Sequence, residues 1–182
     1  LTVRIDTNYA GHTGALSTNY GDLFLSNNWD PFGSDPYETD QATNGNLWTY
    51  GFALDDRTTD AGGNFTLYEL NGNTNTENAI LSDELTSGAF RAGQEVIVDT
   101  NSNTVASTST TGTWSIIANE SITFTVDLAG TSVLGGGPLA LHWAMTCAND
   151  VIEGVPAPVI LLLMATGLFG VGVSTAVKRK RA

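Results

Sequence analysis

A single cysteine in 182 residues, Cys147, rules out an intrachain disulfide. It reads as a small buried hydrophobe rather than a reactive thiol. Histidine is almost as scarce, with only His12 and His142. His142 and Cys147 lie five positions apart near a predicted strand end, and zinc would need two further donors beside them. His142 is therefore expected to be structural, bonded to a neighbouring carbonyl or side chain. No G-x-S-x-G elbow, P-loop or dinucleotide fingerprint occurs, and the triple glycine at 135–137 lacks a strand–helix context. With 19 carboxylates, chance acid pairs are inevitable and none stands out as a glycosidase pair. A non-enzymatic protein is expected.

Positive charge is the most telling shortage. Residues 1–154 hold three cations, Arg4, Arg57 and Arg91, against all 19 carboxylates, a net charge of −16. Such a body repels nucleic acid and anionic headgroups, so no nucleic-acid partner is expected. The other four basic residues are consecutive: Lys178, Arg179, Lys180 and Arg181. That asymmetry implies that body and tail work in different places.

Residues 159–177 read VILLLMATGLFGVGVSTAV, 19 positions without a charge. As a helix they span about 28 Å, close to the hydrocarbon thickness of a bilayer. A core helix seldom stays apolar all round for five turns, which favours a transmembrane helix. The basic cluster at 178–182 then acts as the cytoplasmic stop and leaves residues 1–154 on the far side. A body that crosses a membrane needs an export signal. The chain opens at Leu1 with neither Met nor a charged-then-apolar leader, so loss of a signal peptide is expected. Ahead of the span, Val155, Pro156, Ala157 and Pro158 hold the chain extended, either as a protease target or as a stiff spacer.

Pro-x-Pro, apolar helix and basic end together resemble the PEP-CTERM sorting signal processed by exosortase, with Ala157 where the usual motif has Glu. Residues 21–56 and 139–154 resemble the opening and closing segments of the surface domain in one group of exosortase-dependent proteins. The resemblance implies location and processing: an inner-membrane intermediate, cleavage at 155–158, then release to the cell surface or extracellular matrix. It also implies a setting of exopolysaccharide and biofilm. It supplies no catalytic residues.

The body reads as strands. Ile122, Phe124, Val126 and Leu128 alternate with polar residues, as do Leu1, Val3 and Ile5. Trp48, Tyr50, Phe52 and Leu54 share one face, and so do Leu139, Leu141, Trp143 and Met145. Further strands are expected near 21–26, 64–70, 95–100 and 114–118, with turns at 61–64, 71–73, 111–112 and 135–138. The pattern predicts an all-β domain over 1–154, an antiparallel sandwich or jelly roll. The one helical candidate is 77–85, where Ile80, Leu81 and Leu85 share a face. Residues 101–113, almost all Ser, Thr and Asn, read as a surface loop or edge hairpin.

Two site candidates remain, both in the loop at 27–40. Asp30, Asp35, Glu38 and Asp40 could gather hard oxygen ligands for calcium, although EF-hand spacing is absent and the carboxylates also suit turn capping. Trp29 and Tyr37 are the candidate exposed aromatics for stacking on a sugar. The expected function is an exported surface or matrix protein with a structural or adhesive role. The alternative is a carbohydrate-binding module for one glycan, with calcium as its candidate ion.

Overall fold

A computed structural model describes residues 1–14, 18–35, 37, 39–133 and 138–155. Glu38, the motif residues Pro156, Ala157 and Pro158, the expected span at 159–177 and the basic cluster at Lys178, Arg179, Lys180 and Arg181 lie outside these residues. Among the described residues no helix is long and apolar enough to cross a membrane.

The described residues form ten strands: β1 (Thr2–Asp6), β2 (Tyr20–Ser26), β3 (Tyr50–Leu54), β4 (Gly63–Leu70), β5 (Ala79–Leu81), β6 (Glu95–Val98), β7 (Val105–Ile117), β8 (Ser121–Val126), β9 (Ala140–Met145) and β10 (Val151–Gly154). The only α-helix among the described residues is the single turn α1 (Ser82–Leu85). Eight strands form one antiparallel sheet in the order β1-β8-β7-β4-β3-β2-β9-β10, and β5 pairs with β6 in a small second sheet. The all-β, antiparallel expectation is met. The main sheet, however, is one continuous surface curled into a nearly closed barrel. Its two edges face each other across a cleft lined by Val3 and Ile5 of β1 and by Ile152 of β10. Just beyond the strands the Thr7 hydroxyl donates to the Asp150 carboxylate and stitches one end of the seam.

Period-two alternation decides what enters the barrel. Val3, Leu23, Phe52, Phe65, Trp114, Phe124 and Trp143 project from seven strands into one core. Phe52 stacks on Phe65 with ring centroids 4.5 Å apart, and Phe65 meets Phe124 at 5.9 Å. Each such ring, fully buried, contributes about 1.5–3 kcal/mol. The strand pairing explains one exception to the turn signals. Gly112, expected in a turn, sits inside β7 because the Phe65 ring covers it: a Cβ there would lie 2.3 Å from Phe65 Cζ.

A second apolar layer covers the outside of β2, β3 and β9. Phe24, Trp48, Ala53, Val98 and Ala140 form it, with β5–β6 as its lid. This layer explains why β2 is buried at all seven positions and shows no alternation. Trp48 belongs here rather than beside Phe52, because pairing of β3 starts only at Tyr50. The segment expected as a helix at 77–85 is divided between a 3₁₀ turn at Asn75–Glu77, β5 and α1. Residues 105–113, expected within a loop or edge hairpin, belong to β7. Up to Thr111 they pair with β4 alone, and from Gly112 with β8 as well.

Candidate functional site

The loop between β2 and β3 spreads its acidic residues apart. Asp40 is buried, and its carboxylate accepts the Phe32 N–H at 2.8 Å. Gly45 lies so close to it that a Cβ would fall 1.4 Å from Oδ1. Asp30 and Asp35 are exposed, and the Asp30 N–H donates to Asn46 Oδ1 at 2.8 Å. Among the described residues no group of three or more His, Cys, Asp or Glu side chains is placed to hold a metal ion. Trp29 and Tyr37 do meet, edge to face, with centroids 5.2 Å apart and planes at 89°. Both are half-buried, and Trp29 packs against the outer apolar layer. Tyr37 has a left-handed backbone (φ 56°) and closes a tight turn: its N–H donates to Ser34 O at 2.8 Å, and its own carbonyl accepts the Asp40 N–H at 3.0 Å.

Sequence reasoning missed a buried acid–histidine cluster in the outer layer. His142 on β9 is 1 % exposed, between Trp48 (ring centroids 5.5 Å apart) and Phe24 (5.9 Å). Its Nε2 lies 2.8 Å from the Glu95 backbone oxygen, so Nε2 carries the proton. The Glu95 carboxylate on β6 is 3.9 Å from Nε2, and Glu153 on β10 is 3.8 Å from Nδ1. Nδ1 and Glu153 Oε1 have no hydrogen-bond partner among the described residues. Burial pushes the Glu95 carboxyl up to about 7, against the pull of His142. Burial likewise raises Asp40, with Glu153 adding repulsion. Burial alone would lower His142, but Glu153 and Glu95 outweigh it and raise it. The cluster therefore holds protons tightly. The cluster joins β6, β9 and β10.

A second buried acid has a simpler duty. Asp22 on β2 is 0 % exposed and accepts from Leu54 N–H (2.9 Å), Val98 N–H (2.8 Å) and Arg57 Nη1 (3.0 Å). One carboxylate thus ties the barrel to the small sheet. Arg4 is also committed, to Asp6 at 2.7 Å and Glu120 at 2.8 Å. With two of the body's three cations paired, the charge left facing solvent is overwhelmingly negative.

Among the described residues, three clefts adjoin the main sheet. The seam between β1 and β10 is apolar and holds about 260 Å³. A cleft of about 360 Å³ between the outer face of β3–β4 and β6 includes Arg57 and Tyr68. The third, about 400 Å³, lies at one mouth of the barrel between β3, β4, β7 and the loop after β8. There the inward face changes character. It runs Leu54, Phe52, Tyr50 along β3 and Phe65, Leu67, Glu69 along β4, and Thr108 and Thr110 of β7 line the same cleft. No protein-family model, curated protein or solved structure matches the chain.

Proposed function

We propose that the chain is an exported surface or matrix protein that passes through the inner membrane, is cut by an exosortase-type protease at 155–158, and then serves a structural or adhesive role beside extracellular polysaccharide. The observation that carries this reading is the pairing of a −16 body with an uncharged stretch of 19 residues and a KRKR end. The fold supports it in two ways. The pairing of β10 with β9 ends at Gly154 opposite Leu141, immediately before Val155 and the proline motif. Removal of everything beyond that motif leaves every strand pair of the sheet in place. A carboxylate-rich, solvated exterior on a rigid β scaffold also suits a hydrated matrix, where net charge keeps the protein dispersed.

Mass spectrometry of the C-terminus of protein recovered outside the cell tests the reading. A species ending within 155–158 is expected. An intact KRKRA terminus on every recovered molecule would replace the sorting signal with a simple membrane anchor.

A further inference from the structure

We propose that the cleft at the barrel mouth binds a neutral, hydroxyl-rich saccharide unit, with Tyr50, Glu69, Thr108 and Thr110 as its principal contacts. The ligand class rests on the reading that the protein works beside polysaccharide. The cleft itself stands on geometry alone.

The first observation is the bulge in β7. Thr66 pairs with Thr111 and Tyr68 with Ser107, so two steps along β4 face four along β7. The two extra residues fall within 108–110, and Ser109 is forced to φ 61°, a left-handed backbone that a serine adopts at a cost. Bulges re-aim side chains. Thr108 and Thr110 share the inward face by ordinary alternation, and the bulge sets both of them opposite Leu67 on the cleft wall. Regular pairing would set one β7 residue opposite Leu67, and the two extra residues add a second inward hydroxyl there.

The second observation is hydrogen-bond capacity. The Tyr50 hydroxyl donates to Ser132 Oγ at 2.8 Å. The Thr108 hydroxyl donates to the Leu67 carbonyl at 2.9 Å, and that of Thr131 to the Leu128 carbonyl at 2.8 Å. These hydroxyls have spent their protons on the protein and keep lone pairs for the cleft, Thr108 after accepting the Thr110 N–H at 3.2 Å. Glu69 adds a half-buried carboxylate with no ion-pair partner among the described residues. Ser132, which accepts from Tyr50, keeps its own hydroxyl proton, so the lining offers donors beside these acceptors and suits a ligand whose many O–H groups serve as both. No Lys or Arg lines it, and Glu69 would repel a uronate or phosphate. A lone metal ion needs oxygens about 2.3–2.6 Å away on several sides, whereas this cleft holds about 400 Å³ with one carboxylate. That volume, with the Tyr50 ring on one wall and Leu67 and Val133 behind, suits one or two pyranose rings.

The test is an NMR titration of the full chain in a detergent without a sugar head group. The probes are cellobiose, laminaribiose, mannobiose and chitobiose, with digalacturonate and calcium chloride as separate arms. At least one neutral disaccharide is expected to shift the amides of Glu69, Thr110 and Thr131 saturably. Glu69→Gln and Thr110→Val should each weaken that binding about tenfold while leaving the melting temperature in place. Trp29→Ala should leave it unchanged. Absence of saturable shifts at the cleft with all four neutral sugars overturns the proposal. So do shifts centred on Trp29 and Tyr37, or saturation by digalacturonate or calcium alone. Protein cut and exported normally but blind to sugar would sink the cleft and spare the sorting reading, and sugar binding by a cytosolic protein would do the reverse.

Discussion

Replacing Arg57 by Gln should unmask the cost of burying Asp22. The Asp22 side chain is fully enclosed, and that of Arg57 is 21 % exposed. Removing one partner of a buried ion pair typically costs about 3–5 kcal/mol, because the survivor stays charged without compensation. Two features place this case near the lower end. Asp22 keeps the Leu54 and Val98 N–H donors, and Arg57 is partly in water, which screens its share. A loss of about 3 kcal/mol corresponds to a fall in Tm of roughly 6–12 °C for a domain of this size. The pH dependence gives the sharper check. Burial raises the Asp22 carboxyl, and Arg57 is the strongest force holding it down. Without Arg57 it rises further. A carboxyl with a raised folded-state pKa favours the fold while protonated, and that support is lost as pH rises. The deficit of Arg57→Gln relative to the parent should therefore shrink as pH falls below neutral. Thermal melts of both proteins across the acid range decide it. A deficit under about 1 kcal/mol at neutral pH, or one that grows on acidification, refutes the reasoning.

The remaining predictions concern the other buried features. Glu95 and His142 both hold protons more tightly in the fold, so each lends stability at low pH that fades as pH rises. Melts should show a higher Tm near pH 5 than near pH 8, and Glu95→Gln should flatten the difference; an unchanged slope would remove Glu95 from the cluster. Gly112→Ala puts a Cβ 2.3 Å from Phe65 Cζ and 2.6 Å from the Thr125 carbonyl, one ring and one fixed backbone atom. It should cost about 1–3 kcal/mol, read by urea denaturation, while Gly154→Ala, which meets nothing within 4 Å, should be silent. A chain ending at Val155 should melt within about 0.5 kcal/mol of the full chain, because the strand pairing stops at Gly154.

Strands with one wet face were legible together with their inward side, and so was β9, whose Trp143 and Met145 enter the barrel as expected although both of its faces are covered. β8 and β1 alternate because one face of each meets water, and Ile122, Phe124, Val126, Val3 and Ile5 point inward as read, whereas Leu1, expected inward, precedes β1 and is exposed. β2 is buried on both sides, so its burial follows no period that would say which face packs where. The extent of β7 was hidden because Thr and Ser serve equally in loops and on the polar face of a strand. β10 was missed because four residues, with Glu153 among them, carry too little pattern. Glu153 looks like a surface acid in sequence, yet its side chain is 5 % exposed, paired with His142 of β9. The same limit applies to function. The loop at 27–40 drew attention by composition, and its Asp40 turned out to serve the interior. The barrel-mouth cleft joins Tyr50, Glu69 and Thr110, which lie far apart in sequence, and no local motif links them.

The side of the membrane on which the acidic barrel resides is the point on which the account turns. A topology reporter fused ahead of Leu1, behind a cleavable export signal, with a second fused after Ala182, addresses it directly. Periplasmic or external activity at the first position with cytoplasmic activity at the second, before processing, is the predicted result. A cytoplasmic signal from both ends would contradict export, and with it the matrix role.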